Sequence, residues 1–562
     1  MGVAPVKRLS TGAEAIGRGA AEGGVSLVSG RPCSPPLAAV LAAAACEGVR
    51  TERAPSERAA AVAALGASLA GARALAVLSG LEGAADALHA AALAGAAGGL
   101  VVLAMDDPGL ALGPVRSDSR ALARALELPC LEPSDARECL AQLAAALELS
   151  ERWATPVVLR VTARLLLEAR PIELGAPAPR PAAGLRRDRA RRVLVAEHGG
   201  TLAARLEERL GQLAAEGVDS ALNRVELRSR ALGVVTSGPT YQYVREALPE
   251  ASTLKLGLSF PLPSELVRDF ARAVDRVAVV EEMEPVLESE VRAAGIPCRG
   301  KDGLPRLGEL SPELVGWALS GVARPARPEP PAPPRPREAC PGCPRRALFQ
   351  ALKRARAGVV ADLACSAPGV FPPLAVVDAA LAPGAAPALA HGAAAVLGPR
   401  VRGRLVALTS EESFLHSGAL ALAQAAEDGH GAVVVLEDGA APPGERRADL
   451  AQLARALGAA RVREVQVGEL AACEAALREE LAASGLSVLV ARGRCPAGAR
   501  SGAPFRVAPE RCNRCGACLR LGCPALAEGT AAMAIDGPRC AGCGLCAQVC
   551  RAGAIARGEA RA

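Results

Sequence analysis

Eight of the chain's 18 cysteines stand in two runs near the end of the sequence, Cys512-x2-Cys515-x2-Cys518-x4-Cys523-Pro524 and Cys540-x2-Cys543-x2-Cys546-x3-Cys550. Three thiolates spaced two residues apart wrap three irons of one cuboidal cluster, and the fourth cysteine of each run crosses to the other cluster. The expected ligand sets are Cys512, Cys515, Cys518 and Cys550 for one [4Fe–4S] cluster, and Cys540, Cys543, Cys546 and Cys523 for the other. Zinc is the rival, because C-x2-C pairs also build tetrahedral S4 sites. Zinc joins pairs, however, and would leave the third cysteine of each triplet idle. The spacing therefore commits the last stretch to a small cluster-bearing, ferredoxin-like module and points to electron transfer.

The rest of the chain reads differently. Short apolar runs such as LVVLAM (100–105), TPVVLRV (155–161), RVAVVEE (276–282), RLVALTS (404–410), AVVVLED (432–438) and LSVLVAR (486–492) alternate with longer helical stretches. That alternation predicts parallel, doubly wound sheets covered on both faces. Two Pro- and Arg-rich stretches, 176–192 and 324–337, interrupt the pattern as linkers, and a weaker break lies at 496–504. The layout expected is α/β throughout: three doubly wound parallel-sheet domains over 1–175, 193–322 and 338–500, then the cysteine module over 505–562. A length of 562 residues suits several domains.

Composition excludes some classes of function. The net charge of +6 is mild for this length, and no Lys/Arg run is interleaved with aromatics, which argues against nucleic acid. The longest apolar run, 90–105, is Gly/Ala-rich and shorter than the roughly 20 residues of a spanning helix. The first residues lack the apolar centre of a signal peptide. With cysteines in ligand spacing and no export signal, the thiols are expected to bind metal in the cytoplasm rather than form disulfides. Cys33, Cys46, Cys130, Cys139, Cys298 and Cys473 have no such spacing and are expected as buried apolar residues.

Several short segments, in one order, carry a resemblance to a known family. They include Gly66-Ala-Ser-Leu-Ala-Gly-Ala-Arg73, Asp106-Asp-Pro-Gly109, Ser117-Asp-Ser-Arg120, Val280-Glu-Glu-Met-Glu-Pro285, Cys340-Pro-Gly-Cys-Pro344, Gly369-Val-Phe-Pro-Pro373 and Phe414-Leu-His-Ser-Gly418. From near Thr11 to its end the chain resembles the large subunit of indolepyruvate ferredoxin oxidoreductase. That enzyme is one of the thiamine-diphosphate-dependent 2-oxoacid:ferredoxin oxidoreductases. The resemblance implies a pyrimidine-binding domain, a transketolase-C-terminal-like domain and a diphosphate-binding domain ahead of the ferredoxin module.

It also implies residue roles. Glu57 takes the place of the glutamate that hydrogen-bonds the aminopyrimidine of thiamine; without the resemblance it reads as a solvated glutamate at a helix start. Ser34, in the loop Gly30-Arg-Pro-Cys-Ser-Pro35, replaces the threonine that contacts the 2-oxoacid carboxylate, or is simply a turn residue. Cys365, Gly384, Phe414 and His416 fall in cofactor-proximal motifs. A third [4Fe–4S] cluster would use Cys340, Cys343, Cys365 and Cys495, with zinc or free thiols as the alternatives.

The chain departs from the family where Mg²⁺ and diphosphate are held. Ser410-Glu411 stands where Gly-Asp is expected, and Asp438 takes the place of an asparagine. Glu411 and Asp438 still offer oxygen to a hard cation. The loop 439–444 is short where relatives carry a longer phosphate-covering segment.

Two functions follow. In the first, the chain is the large subunit of an enzyme that oxidatively decarboxylates an aryl 2-oxoacid such as indolepyruvate. Coenzyme A accepts the acyl group, external ferredoxin accepts the electrons, and a smaller β subunit completes a hetero-oligomer. In the second, it is a thiamine-poor paralogue that keeps its clusters and serves as an electron-transfer or scaffold subunit. From Arg511 onward seven arginines face three carboxylates, a basic balance suited to docking an acidic ferredoxin.

Overall fold

In a computed structural model the residues described are 6–110, 112–113, 116–185, 187–320, 339–363, 365–401, 403–429, 433–438, 448–493, 495 and 502–558. They form two compact units, residues 1–330 and 331–562.

The first unit is built on a seven-stranded sheet in the order Leu258–Phe260, Cys130–Leu131, Val157–Thr162, Leu100–Asp106, Arg73–Leu78, Val25–Gly30, Thr51–Arg53. The three central strands are buried at every residue, which is why their sequences run apolar without alternation. Helices cover both faces, with Gly12–Glu22, Pro35–Cys46 and Ala136–Trp153 on one core. A second sheet has the order Val277–Val280, Ser229–Ser237, Ala251–Leu256, Arg224–Glu226.

Neither sheet is parallel throughout, as the apolar alternation predicts. Arg224–Glu226 runs antiparallel to its neighbour. Leu258–Phe260, from the segment expected to be a separate domain, adds antiparallel to the edge of the seven-stranded sheet. Short edge strands of this kind protect an otherwise open sheet edge.

A buried ionic lattice ties the same two segments together. Arg160 donates to Asp106 at 2.7 Å and to Glu132 at 3.3 Å. Arg120 donates to Glu281 at 2.7 Å, to Asp118 at 2.7 Å and to the Glu282 carbonyl at 2.6 Å. Two of the segments marked in the sequence, 117–120 and 280–285, thus meet as partners.

The second unit carries a six-stranded sheet, parallel at every pairing, in the order Ala379–Ala380, Gly358–Ala361, Leu405–Ser410, Val433–Asp438, Ser487–Arg492, Arg461–Gln466. Two antiparallel pairs follow, Phe505–Val507 with Ile555–Arg557 and Leu526–Glu528 with Met533–Ile535. The buried residues between them are few, Phe505, Ala525, Met533 and Ile555 beside Cys518 and Cys540. So small an apolar core calls for additional cross-links.

Among the described residues of the linker 176–192 one helical turn forms, Arg189–Arg192. The linker 324–337 lies outside the described residues, as do 439–444 and 496–501. Among the described residues no helix is long and apolar enough to cross a membrane.

Candidate active site

In the first unit, three neighbouring parallel strands deliver the candidate residues at their carboxyl ends, the usual place for a site in an open α/β sheet. Val25–Gly30 leads into the loop that carries Arg31 and Ser34, Thr51–Arg53 leads to Glu57, and Arg73–Leu78 leads to Ser79. Ser56 caps the helix Glu57–Leu69 by accepting from the Ala59 amide, so Glu57 starts that helix, where the helix dipole favours an anion. The carboxylate is 6% exposed. One of its oxygens, Oε1, accepts from Ser79 Oγ at 2.9 Å and from Arg31 Nη1 at 3.3 Å. Gly83 makes room for it: a Cβ there would lie 3.0 Å from Glu57 Cβ.

Ser34 is the N-cap of the helix Pro35–Cys46, with proline in the first turn. Its hydroxyl makes no capping bond, and the buried Oγ has no hydrogen-bond partner. Buried polar atoms are rarely left so in folded proteins. The arrangement suits a group that takes up an outside hydrogen-bonding partner. Cys33, expected to be buried, is instead exposed in this loop, and Cys46 is exposed as well. Cys130, Cys139 and Cys473 are buried as expected, and Cys298 is intermediate.

In the second unit the candidates again sit at the carboxyl ends of strands. Leu405–Ser410 and Val433–Asp438 are parallel neighbours in which Ser410 pairs with Glu437. Glu411 therefore follows its strand next to the neighbouring strand's last residue, Asp438, whose side chain lies outside the described part of the structure. Ser410 caps the short turn that begins with Glu411, which is buried.

The next residues, Phe414–Gly418, form a π-turn, a wide helical turn common at functional sites. Phe414 is fully buried, and His416 Nδ1 lies 3.1 Å from Ser417 Oγ. Gly384, at a φ of +75°, packs against this turn so closely that a Cβ would meet the Ser413 carbonyl at 2.7 Å. Gly384, Phe414 and His416 are thus brought together. Asp362, at the end of Gly358–Ala361, receives the Ala386 amide at 2.9 Å and the Thr409 hydroxyl. Burial pushes its carboxyl up, against the pull of those donors.

A small cavity of about 50 Å³ is lined by Cys343, Cys365 and Cys495 with Arg345 and Glu437. Three of the four cysteines expected for a third cluster converge there. Cys340 is not among the lining residues; its carbonyl accepts the Cys343 amide at 3.0 Å. Arg345 and Glu437 form an ion pair of 2.7 Å. Burial nonetheless pushes the Glu437 carboxyl up.

Seven of the eight cysteines of the terminal module fall into two groups of neighbours. Burial pushes the Cys546 thiol up to about 12, with further repulsion from Cys543, Cys540 and Cys523. Cys518 is likewise raised by burial, with smaller contributions from Cys515 and Cys550. These neighbours fall within the two ligand sets expected from the spacing, with Cys512 not among them. Cys523, Cys540, Cys543 and Cys546 line one small cavity of about 20 Å³. Amides of Met533 and Arg514 lower the Cys512 thiol, and the Ala554 amide lies 3.3 Å from Cys550 Sγ. Thiols that raise one another in a shared pocket are suited to metal, which removes the protons. Among the described residues, no three His, Cys, Asp or Glu side chains stand close enough to hold a single metal ion. The thiolates of a cubane bind four different irons and so surround a larger volume than the ligands of one ion.

The residues missed in the sequence are Arg31, Ser79 and Arg345. Arg31 lies inside the quoted loop of Ser34, and a charged residue between apolar strand and helix was the available signal. Ser79 carries none, since only the strand order brings it to Glu57.

The family model described as pyruvate flavodoxin/ferredoxin oxidoreductase, thiamine diP-bdg, matches residues 31–186, a span that holds Ser34, Glu57 and Ser79. The chain is similar to indolepyruvate oxidoreductase subunit IorA of Methanothermobacter thermautotrophicus, at 32% identity over 91% of this chain and 90% of that protein. It is also similar to the subunit of the same name from Pyrococcus abyssi, at 30% identity over 91% of this chain and 90% of that one. Among solved structures, 2-oxoglutarate:ferredoxin oxidoreductase from Magnetococcus marinus shares 17% identity, with a TM-score of 0.45 over 56% of this chain and 65% of that one.

Proposed function

The chain belongs to the family of indolepyruvate oxidoreductase subunit IorA, and from that premise we propose how its residues serve the reaction. It is the catalytic large subunit of a thiamine-dependent 2-oxoacid oxidoreductase. Its substrate is an aryl 2-oxoacid of the indolepyruvate kind. Loss of CO₂ and transfer of the acyl group to the thiol of coenzyme A releases two electrons and a proton. The electrons leave one at a time to an external ferredoxin. A smaller β subunit completes the assembly, and the cytoplasm is its setting.

The single observation that carries this reading is the buried carboxylate of Glu57. It is held at a helix start by Ser79 and Arg31 through one oxygen, and the loop that supplies Arg31 also carries Ser34, whose buried hydroxyl has no partner. When bound, thiamine diphosphate supplies the carbon nucleophile and the electron sink of the decarboxylation. Glu57 holds and returns the proton at the aminopyrimidine nitrogen. Ser34 Oγ donates to the substrate carboxylate.

Glu411 and Asp438 would offer carboxylates to Mg²⁺, and the turn Phe414–Gly418, with Gly384 and His416, would wall the diphosphate side. The two cysteine sets hold two [4Fe–4S] clusters, completing a ferredoxin-like module over 505–562. Cys343, Cys365 and Cys495, with Cys340 beside them, hold a third. The domain limits are those expected from the sequence, 1–175, 193–322 and 338–500.

A thiamine-poor electron carrier is not favoured, because the matched thiamine-binding span contains the Glu57 and Ser34 arrangement. Turnover tests the reading. The chain, combined with its smaller subunit without oxygen, should reduce a viologen dye only when an aryl 2-oxoacid, thiamine diphosphate and coenzyme A are all present. Reduction that ignores coenzyme A, or its absence with every aryl 2-oxoacid, would contradict it.

A further inference from the structure

Arg346 is 2% exposed, one of the largest side chains so fully enclosed. It lies in the first turn of the helix Arg345–Ala355, just after the Cys340–Cys343 pair. Its Nε donates to the Gly522 carbonyl at 3.3 Å, directly before Cys523, and one Nη donates to the Ala339 carbonyl. The other, Nη1, is buried and has no hydrogen-bond partner.

Among the described residues no carboxylate forms a salt bridge with Arg346. A guanidinium buried without a counter-charge is costly, and carbonyl oxygens offset only part of that cost. What stands next to it is the cavity of Cys523, Cys540, Cys543 and Cys546, which Arg346 itself helps to line. The neighbouring Gly342 lines the same cavity, whereas Cys343 and Arg345 line the other one. The segment 342–346 is therefore the wall between the two thiol-lined cavities.

We propose that Arg346 is a positioning and tuning residue for electron transfer: its buried positive charge raises the reduction potential of the cluster held by Cys523, Cys540, Cys543 and Cys546. The inference rests on the reading that these thiols hold a [4Fe–4S] cluster. The physical reason is simple. A cluster with four thiolates is anionic, and reduction adds one more negative charge, so a fixed cation in a poorly solvated wall favours the reduced form. The sister cluster of Cys512, Cys515, Cys518 and Cys550 has no such enclosed cation among the described residues; its arginines, Arg514 and Arg520, are exposed. The cluster beside Arg346 is then the easier to reduce and faces the wall shared with the Cys343 cavity.

The test is a reductive titration of the whole chain, followed by electron paramagnetic resonance, with iron and sulfide measured on each sample. Cys523→Ser first identifies which signal belongs to the cluster. Wild-type iron well below about eight per chain would sink the cluster reading itself. With full iron, Arg346→Gln should lower the midpoint of that cluster so that its reduced-to-oxidised ratio at a fixed potential falls about tenfold, about 59 mV for one electron. The sister cluster should stay unchanged. Arg354→Gln, an exposed arginine on the same helix, should move neither. An unchanged midpoint in a fully loaded Arg346→Gln chain overturns the proposal. If Arg346→Gln fails to hold iron, Arg346→Lys decides. Full loading at the wild-type midpoint upholds the role of charge, whereas a fallen midpoint, or loss of iron there too, assigns Arg346 to hydrogen bonding or packing and overturns it.

Discussion

Arg31 Nη1 lies 3.3 Å from Glu57 Oε1, and both side chains are buried. A carboxylate enclosed in this way is tolerable because a cation, a hydroxyl and a helix N-terminus share its charge. Removing the charge while keeping the shape isolates what the carboxylate does. Glu57→Gln should lower turnover by about a hundredfold or more, the range of a lost proton-transfer group, with iron content unchanged. Turnover that survives the change would remove Glu57 from the proposed role.

Breaking the pair from the other side should instead be felt in the fold. Arg31→Met leaves Glu57 enclosed without its guanidinium. Loss of one partner of a buried ion pair costs about 3–5 kcal/mol, which denaturant unfolding of the chain would register. Ser79→Ala removes one neutral hydrogen bond and should cost about 1 kcal/mol.

Glu151 gives a pH-dependent signature away from the site. Arg73 binds it through two bonds, 2.7 Å and 2.6 Å, and these hold its carboxyl below the ordinary 4.5. A carboxyl lowered in the folded state stabilises the fold above the unfolded value, and that stabilisation is lost as pH falls through the folded value. Glu151→Gln should therefore melt below wild type at pH 7, with the gap closing as pH drops below about 4.5. A gap that stays constant with pH would contradict the assignment.

The crossing of the cysteine sets can be counted. Cys523→Ser and Cys540→Ser should each remove the same cluster, and Cys550→Ser the other, each leaving about four of about eight irons in the module. If Cys523→Ser and Cys518→Ser instead abolished the same signal, the sets would not cross.

Much of this was legible in the sequence because it is local. Continuous apolar runs such as 100–105 and 486–492 became parallel strands inside their sheets. Less legible were features made by the order of strands. Ser79 meets Glu57 only because Val25–Gly30 lies between Thr51–Arg53 and Arg73–Leu78. Leu258–Phe260 joins the other sheet through three residues, too few to show a pattern of their own. Arg346 follows the quoted motif Cys340–Pro344, but nothing in the sequence showed that it is buried. Cys33 and Cys46 were expected in the core on residue type alone, yet both are exposed, Cys33 in the loop that presents Ser34 and Cys46 at a helix end.

In the proposed enzyme one chain joins a thiamine site to cysteine-held clusters. Thiamine diphosphate and iron content, measured on the chain purified without oxygen and with Mg²⁺ present, test it most directly. The account predicts about one thiamine and at least about eight irons per chain. Full iron with no thiamine, even after excess is added, would contradict it.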